Sequence, residues 1–323
     1  LTLALGVIAV RRYDPAVALA VAAAVAALAA RRPALSGAAL GLAVALKGVP
    51  ILLAPIFVMY AVAGRSRPRA GDDGASGRTP VFRWAADRAV LRRWLAGLVA
   101  TLVPTGLAYA LIAGPHALDA VAYHGTRPIQ IETIYSGLLI LAHGFDPGLL
   151  TKAFAFGSLN AVSSAEPFLR NLSTALTLAG IAASWVFAWA RLSAARDEAD
   201  RLIAVLEASL GCLIAFITLG KVFSPQYCVW LVPLAAALAP FAPDAARRRL
   251  RVAFLFVQAE WPFLYALLYT TLIPAAGALI AMRTAWLWGY VGALVAGPRA
   301  QGSPVRAASA PPPSDRPLPS SRA

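Results

Sequence analysis

The stretch Trp94–Ala113 reads WLAGLVATLVPTGLAYALIA, twenty residues without a charged side chain. A helix that crosses the hydrocarbon core of a bilayer needs about 20 such residues. Leu202–Leu219, LIAVLEASLGCLIAFITL, repeats the pattern with Glu207 as its one charge. The rest of the chain agrees. Of 323 residues, 59% are hydrophobic and 14% charged, and the mean hydropathy is +0.68. Soluble domains are roughly 45–50% apolar and about 25% charged. This composition excludes a soluble enzyme, a disordered chain and a secreted disulfide scaffold. It predicts an all-α, polytopic integral membrane protein. Cys212 and Cys228 lie in or beside apolar blocks and read as small buried side chains.

Further apolar blocks flank these two: Pro15–Ala30, Leu35–Leu46, Val49–Ala63, Leu172–Ala190, Tyr227–Phe241, Val252–Leu272 and Ala275–Ala296, with Leu1–Val10 as the end of a helix that starts upstream. About nine or ten membrane helices are expected over residues 1–296, followed by a Pro-rich, disordered cytoplasmic tail over 297–323. Arginine clusters set the sidedness. Arg31/Arg32, the loop Gly64–Arg93, Arg191–Arg201, Arg247–Arg251 and the tail hold 21 of the 29 basic residues. If all five are cytoplasmic, the intervening blocks leave and return in pairs and the count closes. Arg11 and Arg12 then fall outside, against the rule. Leu35–Leu46 is too short to span, so a broken pair of helices is expected around Lys47. The inner loop Gly64–Arg93 reads as flexible. In the long outer segment Gly114–Asn171, Ser136–Ala142 and Leu149–Leu159 read as short interfacial helices. The net charge of +14 is thereby a matter of orientation, and no nucleic-acid partner is implied. With three lysines among the basic residues, the Ala- and Arg-rich usage points to a GC-rich bacterial genome.

This threading gathers the unusual polar residues on the outer face, in the patches ALKGVP (Ala45–Pro50), YHGTRPIQIE (Tyr123–Glu132) and KVFSPQY (Lys221–Tyr227). Lys47, Arg127 and Lys221 are cations suited to a phosphate at the membrane surface. His124, Gln130, Ser224, Gln226 and Tyr227 add groups that hydrogen-bond sugar hydroxyls or phosphate oxygens. Glu132 is a candidate base. Asp14 stands at the outer entrance of a helix before Pro15, as an N-cap or a second candidate base. The bland alternatives are a snorkelling lysine, an ordinary turn and a solvated Arg–Glu pair. Glu207, Glu260 and Arg283 lie within apolar blocks and should be paired, Glu260 with Arg283 across the Pro274 turn. His116 and His143 carry no pattern. The sequence has no Walker motif, HExxH or Cys/His cluster. No cofactor is called for, although a divalent ion on one or two acidic groups leaves no motif.

At these patches, GLAVALKGVPILLAPI, YHGTRPIQIETIYSGLL and KVFSPQYCVWLVPL resemble glycosyltransferase family 87 in order and spacing, over roughly residues 1–296. The resemblance implies a GT-C bundle with short outer-face helices. It implies a site at the outer surface of the bacterial plasma membrane, a polyprenyl-phosphate sugar as donor, and inversion at the anomeric carbon. Mannose is the first expectation for the sugar and a lipid or glycan for the acceptor. Such enzymes carry a catalytic aspartate in the first outer loop, which would lie upstream of Leu1. Glu132 and Asp14 are the carboxylates this chain offers in its place. The competing expectation is a transporter or flippase for a lipid-linked or anionic substrate, using the broken helix at Lys47 and the Glu260/Arg283 pair. The absence of a visible internal repeat and the one-sided polar patches weigh against it.

Overall fold

The computed structural model describes residues 13–62, 88–266 and 271–296. The segment 1–10, Arg11 and Arg12, most of the loop expected to be flexible and the tail lie outside the described residues. Helix α1 (Asp14–Ala29) turns back through Arg31, whose φ of 59° tightens the corner, into α2 (Pro33–Leu46). Both helices carry a proline in the first turn, where its missing N–H would have no partner within the helix. The chain does break at Lys47. Its backbone is extended, Gly48 and Pro50 follow, and the helix restarts as a 3-10 turn (Val49–Leu53) and α3 (Ala54–Val62).

Helix α4 (Arg88–Ala113) runs alongside α2 in the same direction. The contact is made by backbone. A Cβ on Gly37 would lie 2.0 Å from the Trp94 carbonyl oxygen, and one on Gly97 would lie 1.9 Å from that of Ala34. Small residues allow this approach where lipid, being as apolar as leucine, gives no hydrophobic drive to association. The other face of α4 carries Val99, Val103, Leu107 and Leu111, all exposed and four residues apart. Then come α5 (Asp119–Thr126), α6 (Ile134–His143) and a two-stranded antiparallel hairpin, β1 (Thr151–Ala155) with β2 (Ser158–Val162), in register Thr151↔Val162 to Ala155↔Ser158. The helix expected over Leu149–Leu159 is therefore a hairpin instead. Phe156 and Gly157, both at positive φ, make its two-residue turn, the geometry that matches strand twist.

Helices α7 (Glu166–Ser193) and α8 (Glu198–Leu219) form an antiparallel pair, with Gly180 against Ala215 and Arg191 bonded to Glu207. A 3-10 turn (Pro225–Trp230) leads into α9 (Leu231–Leu238). Helix α10 (Asp244–Gln258) ends in a π turn (Ala259–Leu264) and packs on α11 (Pro274–Ala296). The main core gathers apolar side chains from α1 to α4 and from α7 to α11. A smaller one (Ile131, Leu139, Ile140, Leu150, Ala161, Ile280) seats α6 and the hairpin on α11.

Among the described residues, four helices are long and apolar enough to cross a membrane: Arg88–His116, Glu166–Ser193, Glu198–Leu219 and Pro274–Ala296. The shorter apolar helices α1, α2, the segment Val49–Val62 and Pro225–Leu238 have 10–17 residues. Lys47, Leu219 and Glu260 fall at one end of the bundle, here called the loop end. Arg31, Tyr60, Glu198 and Arg201 fall at the opposite, arginine-rich end, where Arg201 donates to the Tyr60 carbonyl and lies over its ring.

Alanine in place of an exposed helical glycine stabilises a helix by about 0.5–1 kcal/mol. Gly106, with open space around it, should show that gain or no change. Gly97→Ala should instead lower the melting temperature of the detergent-solubilised protein by several degrees. Thermal shift of the two variants side by side checks this.

Candidate functional site

Asp14 begins α1 and is 1% exposed. It is not an N-cap, since the cap is Tyr13 and no capping bond forms. Its Oδ1 accepts from Lys47 Nζ (2.9 Å) and from Trp230 Nε1 (2.8 Å). The ammonium of Lys47 also lies 4.5 Å from the Tyr227 ring centre, 4.8 Å from that of Trp230 and 5.3 Å from that of Tyr13. The break after α2 is what turns Lys47 inward to this box. A buried pair of this kind tolerates poorly the loss of one member, at a cost of about 3–5 kcal/mol. The positive charge of Lys47 is thus directed onto Asp14 and three aromatic faces. Tyr227 and Trp230 stack on each other at 4.7 Å.

The patches Tyr123–Glu132 and Lys221–Tyr227 also meet. Gln130 N donates to the Lys221 carbonyl (2.9 Å), Lys221 Nζ donates to the Gly125 carbonyl (3.1 Å), and Tyr135 OH donates to the Leu219 carbonyl (2.7 Å). Glu166, at the start of α7, accepts from Ile129 N at 3.2 Å. Arg127 leaves α5 at its C-cap and is buried, with Nη2 donating to Ser158 Oγ at 2.9 Å. The solvated Arg–Glu pair weighed as the bland alternative does not form: Arg127 goes to Ser158, and Glu132 accepts from Gln130. Ser224, Gln226 and Tyr227 are half-buried in the turn that faces this loop. The Tyr227 hydroxyl lies within electrostatic reach of Arg127, Asp14 and Glu132. The three patches form one cluster at the loop end.

Exposed His124 is held below the ordinary histidine range by partial burial and by Arg127, Lys221 and Lys47, so it is neutral at pH 7. Partial burial and Arg170 lower Lys221. Glu132, 3% exposed, is pushed up to about 8 by burial and then by Glu260. Glu260 pairs with Arg283 as the sequence suggests, and Arg283 also donates to the backbone carbonyl of Glu132 (2.7 Å) and lies over the Phe223 ring at 3.4 Å. Glu207 pairs with Arg191 (2.9 Å). His116 bonds Asp119 in the open, away from the cluster. Among the described residues no three His, Cys, Asp or Glu side chains gather to hold a metal ion.

No family model, curated protein or solved structure matches this chain.

Several contributors escaped the sequence reading. Trp230 drew no reading, Ser158 sat in the segment Leu149–Leu159 read as helix, and Asn160 lay just past its end. The alternation Ser158-Leu159-Asn160 after Phe156-Gly157 was the available signal.

Three buried polar atoms of candidate residues have no hydrogen-bond partner among the described residues: Asp14 Oδ2, Arg127 Nε and Gln130 Oε1. Leaving such an atom unsatisfied costs about 1–3 kcal/mol. They offer one carboxylate acceptor, one cationic donor and one neutral acceptor. A ligand with an anionic group and hydroxyls would satisfy all three.

The raised value of Glu132 fixes a pH dependence. The folded state binds the Glu132 proton more tightly than the unfolded chain, so stability falls as pH rises from the ordinary 4.5 to about 8. Glu132→Gln removes that loss. Its melting temperature relative to the native protein should rise progressively across this window and stay level above it, as a pH series of thermal melts would show.

Proposed function

We propose that the protein is a membrane glycosyltransferase that moves a hexose, mannose first, from a polyprenyl-phosphate donor to a lipid or glycan acceptor. We place the reaction at the outer face of the bacterial plasma membrane. The observation that carries this reading is the unsatisfied set Asp14 Oδ2, Arg127 Nε and Gln130 Oε1 inside a cluster that also holds Lys221 and His124. That set complements a sugar phosphate. The resemblance of the three patches to glycosyltransferase family 87 supports the same reading. So does the arrangement of the ends: the polar cluster at one and the arginines at the other fit an outer site over a cytoplasmic basic face.

In this mechanism the acceptor hydroxyl oxygen attacks the anomeric carbon. The bond from that carbon to the phosphate oxygen breaks, and its electron pair leaves on the polyprenyl phosphate. The acceptor proton passes to Asp14 Oδ2. Lys47 and Trp230 hold the other Asp14 oxygen and so aim the open one. Arg127 and Lys221 stabilise the charge that grows on the departing phosphate. Gln130 Oε1 accepts from a sugar hydroxyl. Asp14 is the better base of the two carboxylates, because Glu132, held up to about 8, keeps its proton at neutral pH and already bonds Gln130.

Membranes bearing the protein should transfer radiolabelled mannose from a polyprenyl-phosphate carrier. Asp14→Asn should cut the rate by roughly a hundredfold or more, and Arg127→Ala or Lys221→Ala should abolish transfer with insertion intact. Glu132→Gln should stay within tenfold of the native rate. Transfer that survives both cation changes sinks the donor-phosphate assignment. Sidedness is checked separately: Ser224→Cys should react with an impermeant thiol reagent from outside, and Ser76→Cys should not. The native Cys212 and Cys228 are buried and give little background. Flux of a lipid-linked sugar without transfer would favour the flippase reading instead.

A further inference from the structure

We propose that Ser158 and Asn160, on the inner strand of the β-hairpin, are positioning residues that fix which edge of the Arg127 guanidinium faces the ligand. This rests on the reading of Arg127 as the cation for the donor phosphate.

The hairpin is unequal. Strand β1 is exposed at Thr151, Lys152, Ala153 and Phe154, whereas β2 buries Ser158, Asn160 and Ala161. Two polar residues buried on a hairpin this small call for a use, because an isolated two-stranded hairpin is marginal in itself and burial of polar groups adds cost unless they are bonded. Their bonds run in one direction. Asn160 Nδ2 donates to the carbonyls of Ala155 (2.7 Å) and Ser158 (3.0 Å), which settles the amide with Oδ1 outward. Oδ1 accepts from Ser158 Oγ at 3.2 Å. The one Ser158 proton has two acceptors in reach, Asn160 Oδ1 at the shorter distance and the Ala155 carbonyl at 3.5 Å; with it given to either, Oγ is left as an acceptor, and it accepts from Arg127 Nη2 at 2.9 Å. The Tyr123 ring lies 5.8 Å from the guanidinium carbon. Tyr123 OH in turn donates to the Phe156 carbonyl in the hairpin turn.

The hairpin itself is tied to the Arg127 loop. Ile131 N donates to the Leu159 carbonyl (3.0 Å), Ala161 N donates to the Ile129 carbonyl (2.9 Å), and Gln130 pairs with Asn160 as an isolated bridge. The loop and β2 therefore move together, and Arg127 is held from both its backbone and its tip. Nη2 is committed to Ser158, and Nε is the buried donor left without a partner among the described residues. Nε is thus a donor left over for the phosphate. A guanidinium fixed in advance loses less freedom on binding than one that must be ordered by the ligand.

The test is steady-state sugar transfer from radiolabelled polyprenyl-phosphate mannose by the full chain in membranes. The variants are Ser158→Ala, Ser158→Thr, Asn160→Ala and Arg127→Ala, with thermal stability measured in parallel. Ser158→Ala and Asn160→Ala should raise the donor KM roughly three- to tenfold and leave kcat within about twofold, while Ser158→Thr, which keeps the hydroxyl, should restore the native KM. Arg127→Ala should abolish transfer. If Arg127→Ala transfers normally, the proposed use of Arg127 fails and this inference falls with it. If Arg127→Ala is inactive but Ser158→Ala and Asn160→Ala show the native KM, or lose kcat at unchanged KM, the positioning role alone is wrong. Failure of threonine to restore KM in a stably folded Ser158→Thr protein also overturns it.

Discussion

A carboxylate withdrawn from water sets the terms at the loop end. Asp14 is buried where three pieces of chain meet: the start of α1, the break after α2 and the 3-10 turn before α9. Its charge is met by Lys47 and by the indole N–H of Trp230, and the lysine is enclosed by the rings of Tyr13, Tyr227 and Trp230. An isolated buried charge costs far more than any single packing contact returns, so these segments are held to one arrangement. The helix break at Lys47 is part of the same constraint. An unbroken helix through Gly48 and Pro50 would carry the lysine past the aspartate.

A second buried pair does for the segment between α4 and α7 what the first does for the bundle. Arg283 of α11 is bonded to Glu260 and to the backbone of Glu132, with the Phe223 ring beneath it. One guanidinium thereby joins the last two helices to the loop that carries Gln130 and to the turn after α8. The cations Arg127 and Lys221 stand on that loop and that turn. Their spacing therefore depends on ionic contacts that themselves bear no direct relation to a ligand.

Much of this could be read from residue order. The helical class followed from blocks such as Trp94–Ala113, the broken helix from Gly48 and Pro50, and the Glu260–Arg283 pair from the cost of lone charges in apolar surroundings. Residue order placed the three patches on one face, and only the fold joins them, through the Lys47–Tyr227 contact and the Gln130–Lys221 backbone bond. The number of spanning helices was less legible, because an apolar block of fourteen residues such as α2 reads alike whether it crosses lipid or packs as half of a broken pair. The hairpin was missed for a local reason. AFAFGSLNAV alternates weakly, and its turn uses Phe156 at positive φ where Asn-Gly would have announced it. The partners of Asp14 were out of reach, since Trp230 lies 216 residues away and nothing short of the fold connects them.

The crossing of α2 and α4 works as a ruler. Because Gly37 and Gly97 bring main chain against main chain, no layer of side chains lies between the helices to absorb a slip. Advancing α4 by one residue along its screw, about 1.5 Å of rise with a turn of roughly 100°, would bring Leu98 or Ala96 against the Ala34 carbonyl in place of Gly97. The height of α4 relative to α2 is therefore discrete. Since Ala113 leads through a 3-10 turn and α5 to Arg127, and Leu46 leads directly to Lys47, a contact among the helices sets the level at which two of the cations emerge above them.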